Sequence, residues 1–152
     1  MYFFSCKYNL DNNNWNNTQP FVPKVKYGKV IKVYDGDTIT VASKIPNLKN
    51  SQIYKFSVRL NGIDTPEIKG SNEDEKSIAL KARDALSEKI MDKDVYLKNV
   101  KTEKYGRLLC DVYLGNQHLN QWMLDQRFAV KYDGGTKISP KLWSEYYYHN
   151  KM

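Results

Sequence analysis

Five short runs of this chain alternate apolar and polar residues, and one longer run between the third and the fourth switches to helical spacing. This pattern constrains the fold more than any other feature, because side chains change face at every residue of a strand but recur every 3.6 residues on a helix. The alternating runs are VKYGKVIKVY, TITVAS, YKFSVRLNGI, DVYLKNV and RLLCDVYL. In the third, Phe56, Val58 and Leu60 alternate with Lys55, Ser57 and Arg59, so Arg59 points away from the face that buries Val58. In the fifth, Leu108, Cys110 and Val112 share one face. The helical run starts at Asn72, a good cap, with Glu75 three residues on as in a capping box. Ile78, Ala82, Ala85, Leu86 and Ile90 then fall on one face, and Lys76, Lys81, Asp84 and Lys89 take exposed positions. Two more helices are expected from HLNQWMLDQRFAV and SPKLWSEYYYHNK, the second with Pro140 just inside a Ser139 cap. Three strands, a helix, two strands and two helices predict an α+β chain that is mainly β. The expected architecture is a five-stranded OB-type barrel with about three helices packed outside.

The barrel accounts for residues 25–152. Residues 1–24 differ: NLDNNNWNNTQPFVPK is Asn-rich, ends in two prolines and has no periodicity, so it reads as a flexible extension. The 152 residues suit one domain with a modest core. Lys and Arg outnumber Asp and Glu by 24 to 17, and the resulting +7 favours polyanionic partners. The two cysteines, Cys6 and Cys110, have no metal-ligand spacing and read as a free tail thiol and a small core residue. No run is long and apolar enough to cross a membrane. The opening MYFFSCKYNLD lacks a basic leader and a small-residue cleavage site. An intracellular, cytoplasmic location without membrane partners is therefore expected, with secretion left open.

Chemistry concentrates in three places. DGDT, Asp35–Thr38, is a tight turn by composition. IDTPE, Ile63–Glu67, reads the same way, with Pro66 ending the strand. Both turns lie at strand ends of a small barrel, where such ends can converge. Asp37 and Asp64 can then offer carboxylate oxygens and Thr65 a carbonyl, the ligand set of a hard cation such as Ca2+ or Mg2+. His118 and His149 stand alone, so zinc is not indicated. EKYGR, Glu103–Arg107, reads either as a basic hairpin on a solvated edge or as a phosphate grip. A guanidinium matches phosphate oxygens bidentately, and Arg59 and Arg107 are the candidates for stabilising charge on a phosphoryl group.

DGDT, RLNGIDTPE and EKYGR, in this order and spacing, resemble the staphylococcal nuclease (thermonuclease) family. The resemblance covers roughly Val25 to Tyr132. It implies an OB-type barrel with attached helices and Ca2+-dependent hydrolysis of DNA and RNA. It further implies little sequence preference, endonucleolytic attack and 3′-phosphate products. By the same resemblance Asp37, Asp64 and the Thr65 carbonyl would bind Ca2+, and Glu67 would hold or deprotonate the attacking water. Arg59 and Arg107 would bind the scissile phosphate, Lys104 and Tyr105 a neighbouring phosphate, and Asp35 would support the metal loop. Tyr132, in AVKYDGG, is the nearest match to a substrate-facing tyrosine, displaced by one residue. The closing helix is short, Ser139 to Lys151, and its Tyr146, Tyr147 and Tyr148 cannot all face the core. One or two should pack on the barrel, with base stacking open to an exposed one. The loop KGSNEDEK after Glu67 is more acidic than in familiar members. The expected partners are DNA and RNA, single strands preferred, acted on by a monomer. The alternative is a noncatalytic single-stranded nucleic-acid or protein-binding OB module.

Overall fold

A computed structural model describes residues 10–70, 72–103 and 105–149. Strands β1 (Tyr27–Val33), β2 (Thr38–Ser43) and β3 (Tyr54–Leu60) form an antiparallel meander. Its register sets Val30 against Val41, Val41 against Phe56 and Ile39 against Val58, so the alternating apolar residues meet on one face. A two-residue strand β4 (Ile63–Asp64) follows, then helix α1 (Glu73–Ile90). Strands β5 (Asp94–Thr102) and β6 (Leu108–Leu114) form a second antiparallel pair. β5 docks antiparallel on β1, and β6 runs parallel to β3. These two contacts close the five long strands into a barrel, which removes exposed edges. The expected mainly-β OB-type barrel with three helices is what forms.

The core is built from the residues whose alternation marked them. Val30, Ile39, Val41, Val58, Leu60, Val95, Leu97, Leu108, Cys110 and Val112 are buried. Helix α1 adds Ile78, Ala82, Leu86 and Ile90. The Cys110 thiol is free, and burial pushes its pKa up to about 12, so it packs as a small apolar group. Among the described residues no helix is long and apolar enough to cross a membrane. Residues 10–22 contain turns and no helix or strand, while Pro23 and Val25 are buried. Cys6 lies outside the described residues.

Two start signals resolve differently from expectation. Asn72 caps α1 by accepting from the Glu75 N–H at 2.7 Å, as read. The Glu75 carboxylate does not close the box; it accepts from the Glu67 N–H at 3.1 Å and ties that loop to the helix. The last helix, α3, spans Trp143–Tyr148 with Leu142 at its cap, not Ser139. Its start is set by Asp74 of α1, whose carboxylate accepts from the Trp143 N–H at 2.7 Å. Tyr147 stacks on Phe128, the Tyr146 hydroxyl donates to the Ala129 carbonyl, and Tyr148 is exposed, as the crowding of three tyrosines required. Between β6 and α3 lie β7 (Gln117–His118), α2 (Leu119–Asp125) and β8 (Val130–Lys131). β8 pairs with β4, setting Asp64 opposite Val130, and the Tyr132 N–H donates to the Gly62 carbonyl at 3.0 Å.

Candidate functional site

The turn between β1 and β2 is fixed from within and from outside. The Asp37 N–H donates to the Asp35 carboxylate at 3.1 Å, and the Thr38 hydroxyl donates to the Asp37 carboxylate at 2.8 Å. The Leu60 N–H donates to the Asp37 carbonyl at 2.8 Å, which joins the turn to the end of β3. Gly36 is needed for close approach. A Cβ there would lie 3.0 Å from Thr65 Cγ2, 3.1 Å from Ala82 Cβ and 3.2 Å from Met123 Cε. Only a residue without a side chain lets the first acidic turn press against the second and against two helices.

Arg59 sits where the two turns meet. Its alternation away from Val58 does not expose it; it is buried at the barrel end. One guanidinium nitrogen donates to the Ile63 carbonyl at 3.0 Å. The other lies 2.9 Å from Asp37 Oδ2 and 3.2 Å from Asp64 Oδ1. A fork can serve three acceptors from one side chain, which an ammonium on a single stem cannot do with the same geometry. Burial still dominates Asp37. It raises the carboxyl pKa to about 7 against the pull of Arg59, and the neighbouring Asp35 and Asp64 add to the rise. The pair therefore has an appetite for further positive charge. Lys137 partly meets it, with Nζ 3.0 Å from Asp64 and 3.1 Å from the exposed Glu67. Partial burial lowers the Lys137 pKa, and the two carboxylates more than reverse this, leaving it raised.

Arg107 follows the turn at Gly106, whose φ of 77° is readily adopted by glycine. The guanidinium pairs with Glu103 and approaches the Thr38 hydroxyl at 3.4 Å. Asp35, Asp37, Arg59, Glu67, Tyr105, Arg107 and Tyr132 all line one cleft of about 1530 Å³. That exceeds the roughly 300–1,000 Å³ of a small-molecule pocket. Asp64 and Thr65 are buried beside it. The Tyr132 ring lies 5.6 Å from the Arg59 guanidinium. Lys104 lies outside the described residues. Tyr146–Tyr148 are not among the residues lining the cleft.

Three contributors escaped the sequence reading. Lys137 stands in a GGTK loop with no periodicity or motif to mark it. Glu103 is part of EKYGR, and its four-residue spacing from Arg107 was an available signal. Asn120 is buried on α2. Its side chain accepts from the Val112 N–H at 2.9 Å and donates to the carbonyls of Asn61 at 2.8 Å and Cys110 at 3.2 Å. It thereby fixes the β3–β4 turn to β6.

The donor chemistry suits a hard cation: two carboxylates converge on one nitrogen, with Thr65 next to Asp64. In the arrangement described, the cationic partners of these acids are Arg59 and Lys137. Among the described residues no group of three or more His, Cys, Asp or Glu side chains is gathered around a common point.

Residues 57–147 match the family of staphylococcal nuclease homologues. An uncharacterized protein of Methanocaldococcus jannaschii is 30% identical over 151 residues, covering 82% of this chain and 69% of the relative. An uncharacterized endonuclease of Haemophilus influenzae is 33% identical over 104 residues, covering 68% of this chain and 51% of the relative. The thermonuclease of Staphylococcus hyicus is 34% identical over 103 residues, covering 66% and 56%. The chain thus spans between about half and about two thirds of the length of these relatives.

Proposed function

This chain belongs to the family of staphylococcal nuclease homologues, and from that premise we propose that it is a Ca2+-dependent, sequence-tolerant nuclease. It cuts phosphodiester bonds of DNA and RNA internally and leaves 3′-phosphate ends. The observation that carries the reading is the convergence of Asp37 and Asp64 on the Arg59 guanidinium, in a cleft that Glu67 and Arg107 also line. Names of relatives that contain endonuclease or thermonuclease agree with it. The nuclease unit of this reading is residues 25–152, with 1–24 an extension.

Asp37, Asp64 and the Thr65 carbonyl would hold the cation, with Asp35 fixing the turn that carries Asp37. Bound there, a divalent cation supplies positive charge toward the nonbridging phosphate oxygens. The rest of the work belongs to side chains. Glu67 is exposed at the cleft with its backbone N–H held by Glu75, which suits it to orient a water and accept its proton. Arg107 is held by Glu103 at the opposite turn and donates to the phosphate as its charge grows. Arg59 performs two tasks, bridging the two buried acids through one nitrogen and offering positive charge to the scissile phosphate. Tyr105 and Lys104 contact the next phosphate, and the Tyr132 ring faces the substrate from the β8 side.

The test is digestion of labelled single-stranded DNA, duplex DNA and RNA in Ca2+, Mg2+ or chelator, beside Glu67→Gln. Degradation requires Ca2+, and Glu67→Gln lowers turnover by roughly two or more orders of magnitude while the protein stays folded. A folded wild type that leaves every substrate intact in Ca2+, yet binds single strands in chelator, would instead be a noncatalytic OB module.

A further inference from the structure

The outer face of the barrel carries four rings in a line that the cleft chemistry leaves unused. Directly opposed residues of an antiparallel pair share a face. Tyr27 on β1 opposes Tyr96 on β5, Tyr96 opposes Tyr113 on β6, and Tyr113 opposes His118 on β7. The flanking Gly28, Val95, Leu97 and Val112 are buried, so the row points outward. Tyr27 and Tyr96 are 63% and 54% exposed. His118 stacks on Tyr113 with centroids 4.7 Å apart and planes 11° from parallel, and Lys98 Nζ sits 4.3 Å from the Tyr113 centroid. His118 and Asp111 also line the cleft. The row therefore begins at the lip of the cleft and crosses the sheet for three strand spacings, about 14 Å.

We infer that this row is a track for single-stranded nucleic acid leaving the cleft, with bases stacked on the exposed rings of Tyr27 and Tyr96, while the Tyr113 ring, covered by His118 and Lys98, joins them to the cleft. The inference rests on the reading of the cleft as a nuclease site and adds to it a substrate form. An aromatic face accepts any base, which suits a sequence-tolerant enzyme, but only a strand whose bases are unpaired can present them. The outward neighbours of the rings on these strands are Lys29, Asp94, Lys98 and Asp111 rather than aliphatic residues. That composition fits a charged polymer better than the apolar centre of a protein interface. Lys98 lies over a ring, and exposed Lys26 is joined to β5 through its carbonyl, which accepts from the Leu97 N–H. The Lys98 ammonium is placed to meet a phosphate beside a stacked base, and Asp111 is partly satisfied. Asp111 accepts from the Asn99 side chain at 2.7 Å, and Asp94 sits opposite Lys29.

The experiment compares the full chain with Tyr27→Ala/Tyr96→Ala and Tyr27→Phe/Tyr96→Phe. Both positions are exposed, so both proteins should fold. Binding of fluorescent 20-residue oligo(dT) and of a duplex of equal length is measured by anisotropy in chelator. Cleavage of the same strand and of a three-nucleotide substrate is measured in Ca2+. Expected is about tenfold weaker single-strand binding for the alanine pair, wild-type binding for the phenylalanine pair, and no change toward duplex. KM for the long strand should rise by a similar factor, with cleavage of the short substrate unchanged. Equal binding by the alanine pair, or equal losses on short and long substrates, overturns the track. So does a wild-type dimer in sedimentation that the alanine pair dissociates, which would make the face a self-association surface. Absence of cleavage by all proteins would count against the nuclease reading, and the anisotropy would still decide the track.

Discussion

Replacing Asp37 with asparagine should make the metal-free protein more stable, although it removes one of the two carboxylates of the proposed cation site. Burial raises the Asp37 pKa from 3.8 to about 7 despite Arg59. The sign follows from linkage. Between pH 4 and 7 the folded state binds more protons at this group than the unfolded state, so stability falls as pH rises through that window. The penalty is complete above pH 7 and absent below about pH 4. At about 1.36 kcal/mol per tenfold change in proton affinity, the rise from 3.8 to about 7 sets the cost of ionising Asp37 at about 4 kcal/mol. Asparagine escapes it at every pH, and the loss of the Arg59–Asp37 ion pair is already inside that figure, because the rise is what remains after Arg59's pull. Arg59 keeps Asp64 at 3.2 Å and the Ile63 carbonyl at 3.0 Å, so its charge is not stranded. The net gain expected at pH 8 is about 1–4 kcal/mol.

The assay is urea denaturation in chelator from pH 4.5 to 8.5, followed by tryptophan emission, with buried Trp143 as one reporter. Asp37→Asn should exceed wild type at pH 8 and converge with it toward pH 4. Adding Ca2+ at 100 times its dissociation constant should raise wild type by about 2.7 kcal/mol and leave the variant unmoved. A variant less stable than wild type at pH 8 without metal, or a gap that ignores pH, would refute the argument that desolvation dominates this carboxylate.

Three further outcomes are expected. Lys137→Met frees Asp64 and Glu67 from their ammonium partner, so calorimetry should show Ca2+ binding several-fold tighter; weaker binding would mean that Lys137 assists the cation site. Arg107→Ala should lower kcat about a hundredfold or more with KM little changed, whereas a rise in KM alone would make the arginine a tether. Asn120→Ala strands the Val112 N–H and weakens the tie to Asn61 in the core, and should cost about 2–4 kcal/mol in chemical denaturation; a loss under 1 kcal/mol would mean that these groups find other partners.

The long strands and α1 were legible because each carries enough residues for a period to show, and because Asn72 caps through its own neighbour three residues on. β4, β7 and β8 have two residues each, too few for any alternation, and form because the chain brings them alongside a partner. The start of α3 was misplaced for a related reason. Ser139–Pro140 is a fair local signal, but the winning cap, Asp74, lies 69 residues from Trp143. The acidic turns and EKYGR were readable as motifs. Lys137 was not, since its link to Glu67 spans 70 residues and rests on how one loop folds back over the cleft. Short-range chemistry shows in a sequence; pairings across the fold do so only when a motif happens to mark both ends.

The same geometry explains why the site lies where it does. A barrel end gathers turns from strands that are themselves fixed by the core, so acids placed there are held with little freedom left to lose. Gly36 removes the last spacer, since a Cβ there would lie only 3.0 Å from Thr65 Cγ2. Burial, and after it the neighbouring acids, raises the free energy of Asp37 as an anion, and the fold answers with Arg59 at Asp37 and Asp64 and with Lys137 at Asp64. Neither neutralises the acids fully, since Asp37 still sits near pKa 7 with Arg59 at 2.9 Å. A protein optimised for stability alone would place asparagine at 37. Retaining a destabilised carboxylate beside a cleft follows if a stronger cation is meant to complete the set, which ties the stability of the fold to the ligand it is proposed to bind.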